Sequence, residues 1–277
     1  MKYKVGICLY GLPREIEICQ KFNAPFFEKL NIQPYYFCHT WLTTDYKFKK
    51  TYNYSDYIEN NINPVVVEQD NTVEYIEKYC AQKNIELDSN TRRNITHAGC
   101  REIGQFLSLE RSVQILEENK NKVPDLDLIM IKRYDVIFNY TERHNNLSQQ
   151  ITELIENKKD PIVYQPILDG TVVEGYPQAS CYYFLTNIHG AKTFSEDFGR
   201  NIILLRKKRS NITEFENVDN YLYDQNWNSV RNKHVFWLQQ YINNVHSKRI
   251  TTDVEHTVVR HTCTQADSFE EINRKFI

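Results

Sequence analysis

Glycine is scarce in this chain, with eight in 277 residues, and the turn after the first apolar segment, "GLPRE", holds one of them. That leaves no glycine-rich phosphate loop and argues against a nucleotidyltransferase built on one. Long hydrophobic runs are missing too. No stretch approaches the roughly 20 apolar residues of a membrane-spanning helix, so no transmembrane segment is expected. The opening "MKYKVGICLYG" is too short for a secretion signal and has no small-residue cleavage site. Its place is a first core strand in a cytoplasmic protein. Cys8, Cys19, Cys38, Cys80, Cys100, Cys181 and Cys263 include no C-x-x-C pair. Seven scattered cysteines fit neither a disulfide framework nor a zinc site, and read as reduced, packed side chains. An excess of one charge is also absent: 34 Lys and Arg face 36 Asp and Glu, a net charge of −2. This speaks against a general basic coat for nucleic acid, though a local basic groove stays open.

What remains is 41% hydrophobic and 25% charged, the balance of a packed globular domain. Strand-like runs alternate with helical ones. "YKVGICLY" (3–10) reads as a strand, and about 14–30 as an amphipathic helix. "PYYFCHTW" (34–41) and "NPVVVEQ" (63–69) read as strands, and "NYSDYIENN" between them as packing plus polar loop. Residues 71–83 are helical, and residues 101–120 place Ile103, Phe106, Leu107, Val113 and Leu116 on one helical face. "LDLIMIKRYD" (126–135), "DPIVYQP" (160–166) and "ASCYYFLTN" (179–187) are further strands. Residues 188–209 then read as one helix, 214–245 as helical, and the tail from Asp267 as loosely held. The alternation predicts an α/β sandwich with a mostly parallel sheet. It is expected as a single domain over 1–277, its sheet in the first two thirds, with a change of pattern beyond Pro166 and a polar tail (266–277).

In open parallel sheets, ligands bind beyond the carboxyl ends of the strands. Three such ends carry polar groups that an inert core does not need: Gly11 and Arg14 after the first strand, His39, Thr40 and Trp41 in the second, and Arg133 and Asp135 in "LIMIKRYDVIF". A guanidinium pairs with a diphosphate in bidentate fashion, a carboxylate beside it holds a divalent cation, and Gly11 lets backbone approach a ligand closely. The plainer alternative is an Arg133–Asp135 ion pair that caps a strand.

Taken in order, these segments resemble glycosyltransferases of the GT-A type from bacteria and phages. "VGICLYGLPRE" resembles their strand followed by G-x-x-R, and "YYFCHTW" their second strand closing in H-T-W. "IGQFLSLERSVQIL" is similar to a helix with a Q-x-x-S-like pattern. "DLIMIKRYDVIF" is similar to a D-x-x-x-x-x-R-x-D-x-x-F segment standing where related enzymes carry D-x-D. "PQASCYYFLTNIHGAKTF" and "VEHTVVRH" resemble two later segments. The resemblance implies a GT-A-like Rossmann-type fold, with 1–166 as the nucleotide-sugar-binding part and 167–265 as the acceptor-side part, a nucleotide-sugar donor and a divalent metal, Mn²⁺ or Mg²⁺. Gly11 and Arg14 would lie against the nucleotide or its phosphates and Arg133 against the diphosphate. Asp135 would contact metal or donor sugar, and Asp127 would support its strand. Gln178 matches a family glutamine whose preceding acid is here Pro177. That makes Glu174 the substitute candidate for meeting the acceptor, with Asp224 behind it. His261, or His256, would be a late metal ligand.

The acceptor stays open between a surface glycan or lipooligosaccharide and a hydroxymethylated base of phage DNA. Abundant Asn, Ile, Lys and Tyr suggest AT-rich coding, as in some phages, which would place the protein in a host cytoplasm. The basic run Arg206, Lys207, Lys208, Arg209 is the obvious contact for an anionic acceptor, or else a solvated helix end. The non-enzymatic alternative is a degenerate nucleotide- or sugar-binding protein.

Overall fold

The computed structural model describes residues 2–13, 16–45, 50–52, 54–87, 89, 100–138, 145–156, 163–164, 167–173, 176–179, 183–200, 203 and 256–258. Two apolar segments with no polar face form its centre. Strand β1 (Tyr3–Tyr10) lies in parallel between β2 (Ile32–Asp45) and β5 (Leu128–Arg133). A strand covered on both faces reads as a continuous apolar run, and both faces here are covered. Val5, Ile7, Leu9, Leu128 and Met130 join one core with Phe26, Phe27, Ile58 and Leu154. Cys8, Tyr10, Ile129 and Ile131 join the other with Phe106, Val113, Phe184 and Phe194. Each fully buried Phe or Ile contributes about 1.5–3 kcal/mol, so the two faces together fix the register.

Among the described residues the sheet has seven strands. β4 (Val66–Asn71) pairs in parallel with β2 over Phe37–Leu42, and β3 (Lys50–Tyr52) pairs antiparallel with the end of the same long strand. Beyond β5 come β10 (Tyr183–Thr186), antiparallel, and β7 (Val163–Tyr164). This is an α/β fold with a mostly parallel central sheet between helices, as the sequence predicts. Helices α1 (Ile16–Lys29), α2 (Ser55–Ile62), α3 (Thr72–Gln82), α4 (Cys100–Asn119), α5 (Asn145–Glu156) and α6 (Ile188–Ser195) complete it, with a hairpin of β8 (Ile167–Val173) and β9 (Tyr176–Ala179). α4 packs closely on β1, where a Cβ on Gly6 would lie 2.7 Å from Leu116 Cδ1.

Three expectations change. "NYSDYIENN" contains a helix, α2, because Ile58 and Ile62, four apart, reach the core. The strand expected over 126–135 stops at Arg133. Tyr134 and Asp135 then turn the chain into short β6 (Val136–Phe138), which α1 holds by a clamp. Asn23 Nδ2 donates to the Val136 carbonyl at 2.9 Å, and Phe138 N–H donates to Asn23 Oδ1 at 2.9 Å. On its other edge β6 pairs with β11 (His256–Val258).

The single helix expected over 188–209 is interrupted after Ser195. Asp197 takes a left-handed backbone, φ 58°, and pairs with Lys83 at 2.6 Å. Helical structure resumes at Phe198, with its first amides capped by other helices. Gly199 N–H donates to Glu110 Oε2, and Arg200 N–H donates to Tyr79 Oη at 2.8 Å. The expected helical run 214–245 and the tail lie outside the described residues.

Candidate functional site

The carboxyl ends of β1, β5 and β4 lie near one level, alongside the middle of β2, which runs on to Asp45. Leu9 lies opposite Cys38, Tyr10 opposite Arg133, and His39, Thr40 and Trp41 opposite Glu68, Gln69 and Asp70. β1 leaves this edge through Gly11, whose φ of +91° suits glycine and whose Cβ position has no described atom within 4 Å.

His39 is the hub of this edge. It is fully buried, and burial lowers its pKa, so the ring is neutral. Its Nε2 lies 3.1 Å from Asp70 Oδ2 and its Nδ1 2.7 Å from Ser108 Oγ. The neutral tautomer that satisfies both partners donates Nε2–H to the carboxylate and accepts the serine O–H at Nδ1. Ser108 Oγ in turn accepts Gly11 N–H at 2.8 Å. The His39 carbonyl lies 3.3 Å from Tyr134 Oη, which donates to it. Bonds from Asp70 at the end of β4, Tyr134 after β5 and Ser108 on α4 thus converge on one residue of β2, and Ser108 links it to Gly11 after β1. The bond from His39 holds the Asp70 carboxyl below its ordinary range, and Asp70 keeps 41% of its side chain exposed. Trp41 stands edge-on to His39 at 4.6 Å between ring centroids, and to Tyr75 at 5.3 Å. Trp41 Nε1 and Thr40 Oγ1 are buried without a hydrogen-bond partner among the described residues.

At the end of β5, Arg133 and Asp135 form a forked ion pair. Arg133 Nε donates to Asp135 Oδ1 at 2.9 Å, and a terminal guanidinium nitrogen donates to Oδ2. The carboxylate side chain is 4% exposed and the guanidinium 23%. Lys132, next in the chain, is buried, and burial pushes its pKa down to about 8 against the opposing pull of Cys19 and Asp135. Lys132 Nζ lies over the Phe138 ring at 5.8 Å, so its charge is directed into the core rather than to the edge.

The structure therefore brings Gly11, His39, Thr40, Trp41, Arg133 and Asp135 to one edge. Asp127 supports its strand, accepting Lys4 N–H at 2.8 Å. Gln178 lies on β9, in the separate hairpin. Arg14, Glu174, Asp224, the basic run 206–209 and His261 lie outside the described residues. His256 starts β11, whose Val258 stands opposite Val136, the residue after Asp135. Among the described residues, no three His, Cys, Asp or Glu side chains converge on a common point, and no helix is long and apolar enough to cross a membrane. Sequence reading missed Ser108 and Asp70. Asp70 ends an apolar run just as Asp135 does, and that position was its available signal. Ser108 had only its place on the helix of the Q-x-x-S-like segment.

No family model matches this sequence, and no curated protein matches it. Among solved structures, the chain is similar to the galactosyltransferase LgtC in complex with donor and acceptor sugar analogs. The TM-score is 0.36 at 9% identity, over 76% of this chain and 66% of that one. It is also similar to an active-site mutant of LgtC, with a TM-score of 0.37 at 10% identity, over 98% and 94% of the two chains.

Proposed function

We propose that this protein is a GT-A-like glycosyltransferase that moves a sugar from a nucleotide-sugar donor to an acceptor hydroxyl. The observation that carries the reading is the convergence of three separated segments, "YGLP", "FCHTW" and "IKRYD", at one edge of the parallel sheet. This is the edge where open α/β sheets take ligands. Thr40 Oγ1 and Trp41 Nε1, buried in its middle with no hydrogen-bond partner among the described residues, are groups for which a ligand would provide a use.

In this reading the diphosphate lies by Gly11, with Arg14 and Arg133 as its guanidinium partners. Leaving-group charge grows on that diphosphate during transfer, and preorganised cations stabilise it. Arg133 is held in place by its fork to Asp135. A divalent cation fits the donor set in a limited way. Asp135 offers the second lone pairs of two oxygens already bonded to Arg133, and His261, three residues beyond Val258, is the further candidate. Such sparse protein ligation suits a cation shared with substrate phosphates and water, where it would add charge neutralisation at the leaving group. Glu174 and Gln178 are proposed to meet the acceptor hydroxyl. The acceptor is proposed to be a glycan, since the net charge of −2 gives little attraction to DNA phosphates.

The test is an incubation of the full chain with a panel of nucleotide sugars and Mn²⁺, reading released nucleoside diphosphate. Release from one donor, accelerated by a glycan acceptor and abolished in Asp135→Ala, is expected. Binding of a donor with no release would mark a degenerate binding protein. Acceleration by hydroxymethylated DNA instead of glycan would reassign the acceptor.

A further inference from the structure

The chain Gly11–Ser108–His39–Asp70 buries two polar side chains, Ser108 and His39, between the sheet and α4, where apolar groups would pack at lower desolvation cost. The network satisfies every member in sequence: Gly11 N–H to Ser108 Oγ, Ser108 O–H to His39 Nδ1, and His39 Nε2–H to Asp70 Oδ2. A fully satisfied buried network rigidifies what it touches. What it touches is the strand-end glycine on one side and a half-exposed carboxylate on the other.

Asp70 has the features of a receptor for hydroxyl donors. It accepts a bond from His39 at Oδ2, and an ionised carboxylate has acceptor sites left over. The nearby cation Arg111 is already forked to Glu68, at 2.9 and 3.0 Å, and paired with Glu118 at 2.7 Å. Asp70 lies on β4, two strand spacings from β1, about 10 Å across the edge. An extended ribose diphosphate spans that distance when its phosphates sit at Gly11 and Arg133. The aromatic pair Trp41 and Tyr75 stands beside the same carboxylate end.

Resting on the donor-site reading above, we propose that Asp70 receives the ribose hydroxyls of the nucleotide donor and that His39 is the positioning residue that aims it. A site built to bond a hydroxyl rejects the analogue lacking it, because its own polar group is then left unpaired.

The experiment is calorimetric titration of the full chain with UDP, GDP, ADP and CDP, each with Mn²⁺, and with the four 2′-deoxy counterparts. The preferred ribonucleotide is expected to bind about tenfold or more tightly than its deoxy form, as a hydrogen bond to a charged group implies. Asp70→Asn should bring the ribonucleotide down towards the deoxy level and weaken the deoxy form, which keeps its 3′-hydroxyl, by a smaller factor. His39→Gln, which disturbs the aim but leaves the carboxylate, should narrow the same ratio. A merely structural role would weaken both forms by one factor and leave the ratio intact, and that result overturns the proposal. Equal binding of ribo and deoxy forms to the unaltered protein overturns it as well, with the donor site standing. Binding of no nucleotide removes the donor reading itself, and this inference with it.

Discussion

Replacing Glu110 by Gln should change how stability depends on pH. The Glu110 side chain is buried, accepts Tyr79 O–H at 3.0 Å and Gln114 Nε2–H at 3.1 Å, and caps Gly199. Burial raises its pKa from 4.5 to about 7, against the bonds that favour the charged form. The native state therefore keeps a proton that the unfolded chain has released between those two values. Stability is lost as pH rises through that window. A difference of about 2.5 pK units corresponds to about 3 kcal/mol, fully expressed above pH 7. Urea denaturation of the wild type and Glu110→Gln at pH 4.5, 6 and 8 reads it. The variant should gain on the wild type by about 3 kcal/mol between pH 4.5 and pH 8. His39, whose pKa is lowered in the fold, titrates in both proteins and cancels in the difference. Parallel stability profiles would show that Glu110 is not held protonated by its burial.

Asn23→Ala removes the partners of the Val136 carbonyl and the Phe138 amide, and should cost about 2–5 kcal/mol by the same denaturation assay. A loss below about 1 kcal/mol would mean that β6 finds other partners. Gly6→Ala places a methyl against Leu116 and Leu126 at 2.7 and 2.8 Å and should destabilise by about 1–3 kcal/mol. An unchanged denaturation midpoint would show that α4 shifts away without cost.

The sheet was legible because its central strands are covered on both faces and so appear as unbroken apolar runs, "YKVGICLY" and "LIMI". α4 was legible because its buried residues recur at helical spacing over 20 residues. α2 was not, since eight residues with two buried apolar side chains leave a faint period. The break after Ser195 was hidden for another reason. It is set by Lys83, Glu110 and Tyr79, residues far away in the chain, while the local sequence keeps a helical composition. The site divides in the same manner. Gly11, His39, Arg133 and Asp135 stood out as polar groups at strand ends. His39's partners, Asp70 and Ser108, lie 31 and 69 residues further on, and their pairing is set by the sheet order β4-β2-β1 together with α4, which no local motif encodes.

The central claim is that the strand-end edge binds a nucleotide-sugar donor with Asp135 at its heart. The most direct test is a thermal-shift panel of nucleotide sugars and nucleoside diphosphates, with and without Mn²⁺, on the wild type and on Asp135→Asn. A donor at about 100 times its dissociation constant should stabilise the wild type by about 2.7 kcal/mol, with Mn²⁺ strengthening the effect and the variant losing it. Stabilisation of both proteins alike, or of neither by any donor, would contradict the account and leave Arg133 and Asp135 as an ion pair that closes a strand.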